Sequence, residues 1–198
     1  MTLSLVNALS FFSPIIISCS VLIFSIFSLT VGKGLFYIFW LLIATAIRIC
    51  ILWMIPNSNP RPQYKNEICL TGNYLPYDNI TYSSFVLSFT FFYFTLPMYI
   101  TGNVNYVIVI FFIVYILFDI FVKISNSCMD SMMNLVGDIV GGGGLGALVS
   151  ALIYSSPMSK YLFTNELLSN NETCSMPSKQ TFRCSVYKNG ELVGSTTK

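Results

Sequence analysis

Three ionisable side chains, Arg48, Asp119 and Asp138, lie in or beside long apolar runs of the chain. A charge held in a bilayer costs about 3 kcal/mol or more, so such residues tend to be paired, to line a pathway, or to reach the headgroups. Arg48 lies toward the end of an apolar run at 35–55, Asp119 toward the end of one at 104–122, and Asp138 near the start of a segment at 135–154. Successive runs cross in opposite directions, which places all three in one leaflet. This spacing predicts that Arg48 pairs with Asp119 or Asp138 and pins two helical hairpins together. The alternatives are an Arg48 that snorkels alone to the headgroups, and a transport pathway. A transporter would show more acidic and polar residues at mid-membrane depth than this chain does.

Cysteine is the second chemistry-bearing residue type. Cys174 and Cys184 both lie in a polar tail and are the leading disulfide candidates, and Cys69 and Cys128 form a weaker second pair. Cys19 and Cys50 fall inside apolar runs and read as small apolar residues. The chain has no histidine, which removes the commonest general base and metal ligand together. Gly141, Gly143 and Gly146 match GxGxxG formally, but that motif binds dinucleotides only between a strand and a helix. No Walker lysine follows, and no GxSxG occurs. These absences point to a non-enzyme with no cofactor and no metal. Asn79 and Asn171 open glycosylation sequons, a short motif that carries weight only in a lumenal loop.

Composition dictates what must position these residues. The chain is 55% apolar and only 9% charged, whereas soluble domains carry about 25% charged residues. Its surface needs lipid as solvent. A net charge of +2 with scattered basic residues argues against a nucleic-acid partner. Apolar runs at 11–31, 35–55, 82–100 and 104–122 are long enough to span as helices, the form lipid demands of a single segment. No basic residue precedes the first run, so it reads as a retained span rather than a cleaved signal. Gly32-Lys33-Gly34 and Thr101-Gly102-Asn103 read as tight turns. Tyr37, Trp53, Tyr82, Tyr99 and Tyr106 near the span ends suit an interfacial belt.

The segment 135–154 is rich in glycine. Gly137 with Gly141 and Gly142 with Gly146 are each four apart, which sets small residues on a helix-packing face. A fifth crossing helix is favoured over a re-entrant segment. In the tail, 181–187 alternates with period two and precedes Asn189-Gly190, the signature of a β-hairpin. The fold class is an all-α multi-pass membrane bundle of four or five transmembrane helices with a small C-terminal β-hairpin. Its parts are a first transmembrane hairpin (1–56), a polar loop (57–81), a second hairpin (82–123), a polar connector with the glycine-rich helix (124–156), and a soluble tail with the β-hairpin (157–198). Arg61, Lys65 and Lys123 on the large-loop side, against Lys33 and Lys160 on the other, mildly place that loop and the N-terminus in the cytosol.

From Ser127 to Gly194 the order SNSCMDSMMNLVGDIVGGGGLGALVSALIY, then CSMPSKQTFRCSVYKNGELVG, resembles multi-pass virion membrane proteins of the nucleocytoplasmic large DNA viruses. The likeness is sharpest over Cys174 to Gly194. It implies a structural component of the internal, host ER-derived virion membrane, touching capsid or minor capsid proteins. It implies no catalytic residues. It also implies that the tail disulfide can form in the cytosol, since such viruses typically encode a thiol oxidase. A homo-oligomer assembled through the glycine-rich helix, as in a channel or viroporin, is the competing expectation.

Overall fold

A computed structural model describes residues 5–54, 69, 80–128 and 132–164, and the backbone of 183–188 and 191–197. Among these residues six α-helices form: α1 (Leu5–Phe11), α2 (Ser13–Phe27), α3 (Val31–Met54), α4 (Tyr82–Thr101), α5 (Tyr106–Ser125) and α6 (Met132–Tyr154). A 3-10 turn, Pro157–Tyr161, follows α6. The chain divides into two compact units, 1–168 and 169–198. The first is helical. In the second, the backbone of Arg183–Lys188 (β1) runs antiparallel to Glu191–Thr197 (β2).

Helices α3, α4, α5 and α6 are long and apolar enough to cross a bilayer, as in an integral membrane protein. The first apolar run, at 11–31, contains α2, which α1 precedes at a bend of 74° around Phe12; the two pass together as apolar enough to cross, as a broken span or a re-entrant segment. Pro14 lies in the first turn of α2, where its missing N–H costs nothing. The turn that follows sits at residues 28–30, not at Gly32-Lys33-Gly34. Leu29 takes φ 55°, and the glycines lie inside the first turn of α3. Gly34 is needed there because a Cβ would stand 2.7 Å from Ser25 Cβ. Gly102, at φ 73°, caps α4 in the left-handed conformation, as its place in a turn predicts.

Helix α4 is the centre of the bundle. In its most apolar window 61% of the residues are buried, against 28% in α3 and α5. Its serines and threonines suit that place. Thr90 and Thr95 donate to the carbonyls of Val86 and Phe91, so the hydroxyls enter the core already satisfied. Pro97 lies inside α4 and cannot donate to the carbonyl four residues back. That carbonyl, of Tyr93, instead accepts from the buried Ser150 Oγ of α6 at 3.2 Å. A neighbouring helix thus restores the bond that proline removes.

Aromatic rings fill the space between helices. Tyr37 of α3 stacks on Phe94 and meets Tyr93 edge-on, and its hydroxyl shares a 2.7 Å hydrogen bond with Thr90. Tyr37 and Tyr82 are therefore core residues rather than members of an interfacial belt. Trp53, Tyr99 and Tyr106 are exposed, as a belt requires.

Candidate functional site

Two buried ion pairs occupy one end of the bundle, where α3 and α5 finish and α4 and α6 begin. The guanidinium of Arg48 forks onto Asp138, with Nε and Nη2 each donating at 2.7 Å. Nη2 also reaches Thr81 Oγ1 at 3.3 Å. The rings of Tyr82 and Phe85 flank the cation, with centroids at 5.6 and 5.8 Å. Arg48 is 4% exposed, so it does not snorkel to the headgroups. Of its two candidate partners the structure selects Asp138.

Asp119 belongs to a second pair that the run lengths did not reveal. Lys123, one turn later on α5, donates to Asp119 Oδ2 at 2.7 Å, and both side chains are fully buried. Lys123 therefore does not close the span at the membrane surface. The pair is completed from other helices. Ser10 of α1 donates to Oδ1 at 2.6 Å, Ser83 to Oδ1 at 2.9 Å, and Ser84 to Oδ2 at 2.7 Å. Lys123 also donates to Ser84 Oγ at 2.6 Å. A carboxylate has about four acceptor positions, and these donors take them up. The bend at Phe12 has its reason here, because it turns the short helix α1 so that Ser10 meets the carboxylate. The i,i+4 spacing of Asp119 and Lys123 is the signal that could have found the pair.

The weaker cysteine pair is a disulfide: Cys69 is bonded to Cys128, with Cα atoms 5.5 Å apart. It ties the segment between α3 and α4 to the end of α5. Around it Phe11, Ile80 and the two cysteines form a small buried cluster. Cys174 and the side chain of Cys184 lie outside the described residues, as do Asn79 and Asn171. Cys19 and Cys50 are free and exposed on their helices.

The glycine-rich helix packs on α4, but not through all the predicted positions. A Cβ on Gly142 or Gly146 would stand 2.3 Å from the carbonyl oxygen of Phe85 or Phe89, and one on Gly143 would meet Phe92 and Ser88. Gly137 and Gly141 have open space instead and do not join this contact. Ser88 Oγ adds a 2.7 Å bond to the carbonyl of Ile139. The matched order of contacts makes α4 and α6 parallel. The formal GxGxxG is thus part of a helix surface. No protein-family model, curated protein or solved structure matches this chain.

The site can hold helices in register. Its charges are neutralised in pairs and the Asp119 carboxylate has its acceptor positions filled, so the arrangement can act as a set of electrostatic clamps between helices.

Proposed function

We propose that this chain is a structural integral membrane protein of a virion, anchoring the internal, host ER-derived membrane to the overlying capsid or minor capsid proteins. The resemblance over 127–194 motivates the virion assignment. The observation that carries the anchoring role is the self-contained neutralisation of Arg48 with Asp138 and of Lys123 with Asp119. A rigid bundle of this kind suits a membrane anchor better than a conductor.

Helix α6 begins at Asp138's end of α3, beside Arg48, and the 3-10 turn beyond it lies at the other end of α3, where Tyr161 stacks on Phe36. Tyr161 therefore lies at the end of the bundle opposite the Cys69–Cys128 bond. In this proposal the tail supplies the docking element, a β-hairpin at 181–196 whose edge strand extends a sheet of the shell protein.

The test is truncation after Thr164, which keeps the buried Leu162 and Phe163 of the core. Membrane insertion should persist while incorporation into particles is lost. Unchanged incorporation would defeat the proposal.

The channel reading draws on a separate observation. Gly137, Gly141 and Gly144 face outward with nothing within 4 Å of an added Cβ, a surface that a second copy could approach closely. Ion conductance of the purified protein in planar bilayers, lost in a G137L/G141L variant, would favour it over the anchor.

A further inference from the structure

The Cys69–Cys128 bond marks one end of the bundle and is built into its packing. Cys128 follows the last turn of α5, and its N–H donates to the carbonyl of Lys123 at 3.0 Å. Cys69 is 0% and Cys128 1% exposed, and both share a buried cluster with Phe11 and Ile80. That cluster adjoins the inner ion pair. Phe11 follows Ser10, which donates to Asp119, and Ile80 lies just before Ser83 and Ser84, which donate to the same carboxylate. Asn126, two residues before Cys128, donates to Asn7 of α1 at 3.1 Å. Sulfurs closed off in this way meet an oxidant only while the chain is folding. The bond therefore reports the compartment in which this end of the bundle folded.

Forming the bond needs a disulfide-bearing oxidant. The thiolate of one cysteine attacks the oxidant's disulfide and releases one of its sulfurs, and the second cysteine attacks the mixed disulfide and releases the other. Two electrons and two thiol protons pass to the oxidant, which leaves as a dithiol. Such oxidants act in the ER lumen, the periplasm and outside cells, whereas the cytosol keeps thiols reduced. Charge does not oppose that placement. Lys123, which the count of basic residues assigns to the large-loop side, is fully buried and neutralised by Asp119. Arg61 and Lys65 then stand on this side against Lys33 and Lys160 on the other, an even count that sets no orientation.

We infer that the end of the bundle carrying Cys69–Cys128 lies in an oxidising compartment, on the exoplasmic side of its membrane, and that the end carrying Pro157–Tyr161 faces the cytosol. This reverses the orientation that the raw count of basic residues favours. The inference does not rest on the virion assignment. A thiol oxidase acting in the cytosol, of the kind the resemblance implies, would instead form the bond on the cytosolic side, and the test separates the two sources.

The test uses the full chain produced alone in eukaryotic cells, with no added thiol oxidase. Free thiols are blocked at lysis, and the peptide joined through Cys69 and Cys128 is sought by mass spectrometry. Sealed ER-derived vesicles, cytosolic face outward, are then treated with a membrane-impermeant maleimide, and the labelled peptides are identified in the same way. The reporters are S125C, at the exposed end of α5, and M158C, on the exposed 3-10 turn. The joined peptide should be present. M158C should be labelled in intact vesicles, and S125C only after they are opened. Labelling of S125C in intact vesicles overturns the inference, and so does a chain whose Cys69 and Cys128 stay reduced in these cells, since the bond would then need a cytosolic oxidase. If S125C disturbs the bond, a glycosylation acceptor inserted after Gln63 reads the same side, because glycans are added to lumenal segments. It should gain an endoglycosidase-sensitive glycan, and an unmodified acceptor overturns the inference.

Discussion

Arg48 and Asp138 meet through two parallel hydrogen bonds of 2.7 Å across 90 residues of chain. This fork fixes the depth of α6 against α3. Taking away one partner strands the other in an apolar interior, a loss of about 3–5 kcal/mol, while replacing both with apolar residues is close to neutral. D138L should therefore lower unfolding free energy in a denaturing-detergent titration by about 4 kcal/mol, and R48M/D138L should recover most of it. A double variant as unstable as the single one would show that the pair is not the source of the loss.

Gly142 and Gly146 let α6 touch the backbone of α4. An added methyl would press on the carbonyl oxygens of Phe85 and Phe89, and these cannot turn aside as a side chain can. G142A and G146A should each cost about 1–3 kcal/mol through overpacking. At Gly137 and Gly141 the space is open, so alanine there should be neutral or gain up to about 1 kcal/mol of helix propensity. Thermal melts of the four variants separate these outcomes, and similar losses at all four positions would refute the assigned face.

Ser150 stands in for the N–H that Pro97 lacks. S150A should leave the Tyr93 carbonyl without its donor and cost about 1–3 kcal/mol. In a P97A background the backbone N–H returns, and S150A should then be nearly silent. Equal effects of S150A in both backgrounds, measured by the same melts, would mean that the hydroxyl is not serving this carbonyl.

The Cys69–Cys128 bond closes a loop of 59 residues in sequence separation. By loop-closure entropy its loss should cost about 4 kcal/mol. C128S should abolish the mobility difference between reduced and unreduced protein on a denaturing gel and lower the melting temperature. A C128S protein with wild-type stability would leave the bond without a stabilising role.

The bilayer class was legible from composition and run length, because so few charged residues cannot cover a water-facing surface. The crossing helices, the left-handed turn at Gly102 and the leaflet shared by Arg48, Asp119 and Asp138 follow from local length and periodicity alone. Other features depend on what arrives from far along the chain. Lys123 at the end of an apolar run reads as a boundary. Whether it reaches water or is buried is decided by Ser84, 39 residues away, and by Asp119, whose other donors include Ser10 at a separation of 109. Glycine occurs on several sides of α6, so spacing selects no single face, and contact with α4 chose Gly142, Gly143 and Gly146. The sequence by itself determined the solvent and the places of the four long helices, since both depend on transfer of side chains and backbone into lipid. The tertiary structure alone decided which charges pair, where the first run bends and which cysteines join in the described part of the chain. Those outcomes rest on directional, short-range contacts that exist only once the helices have packed.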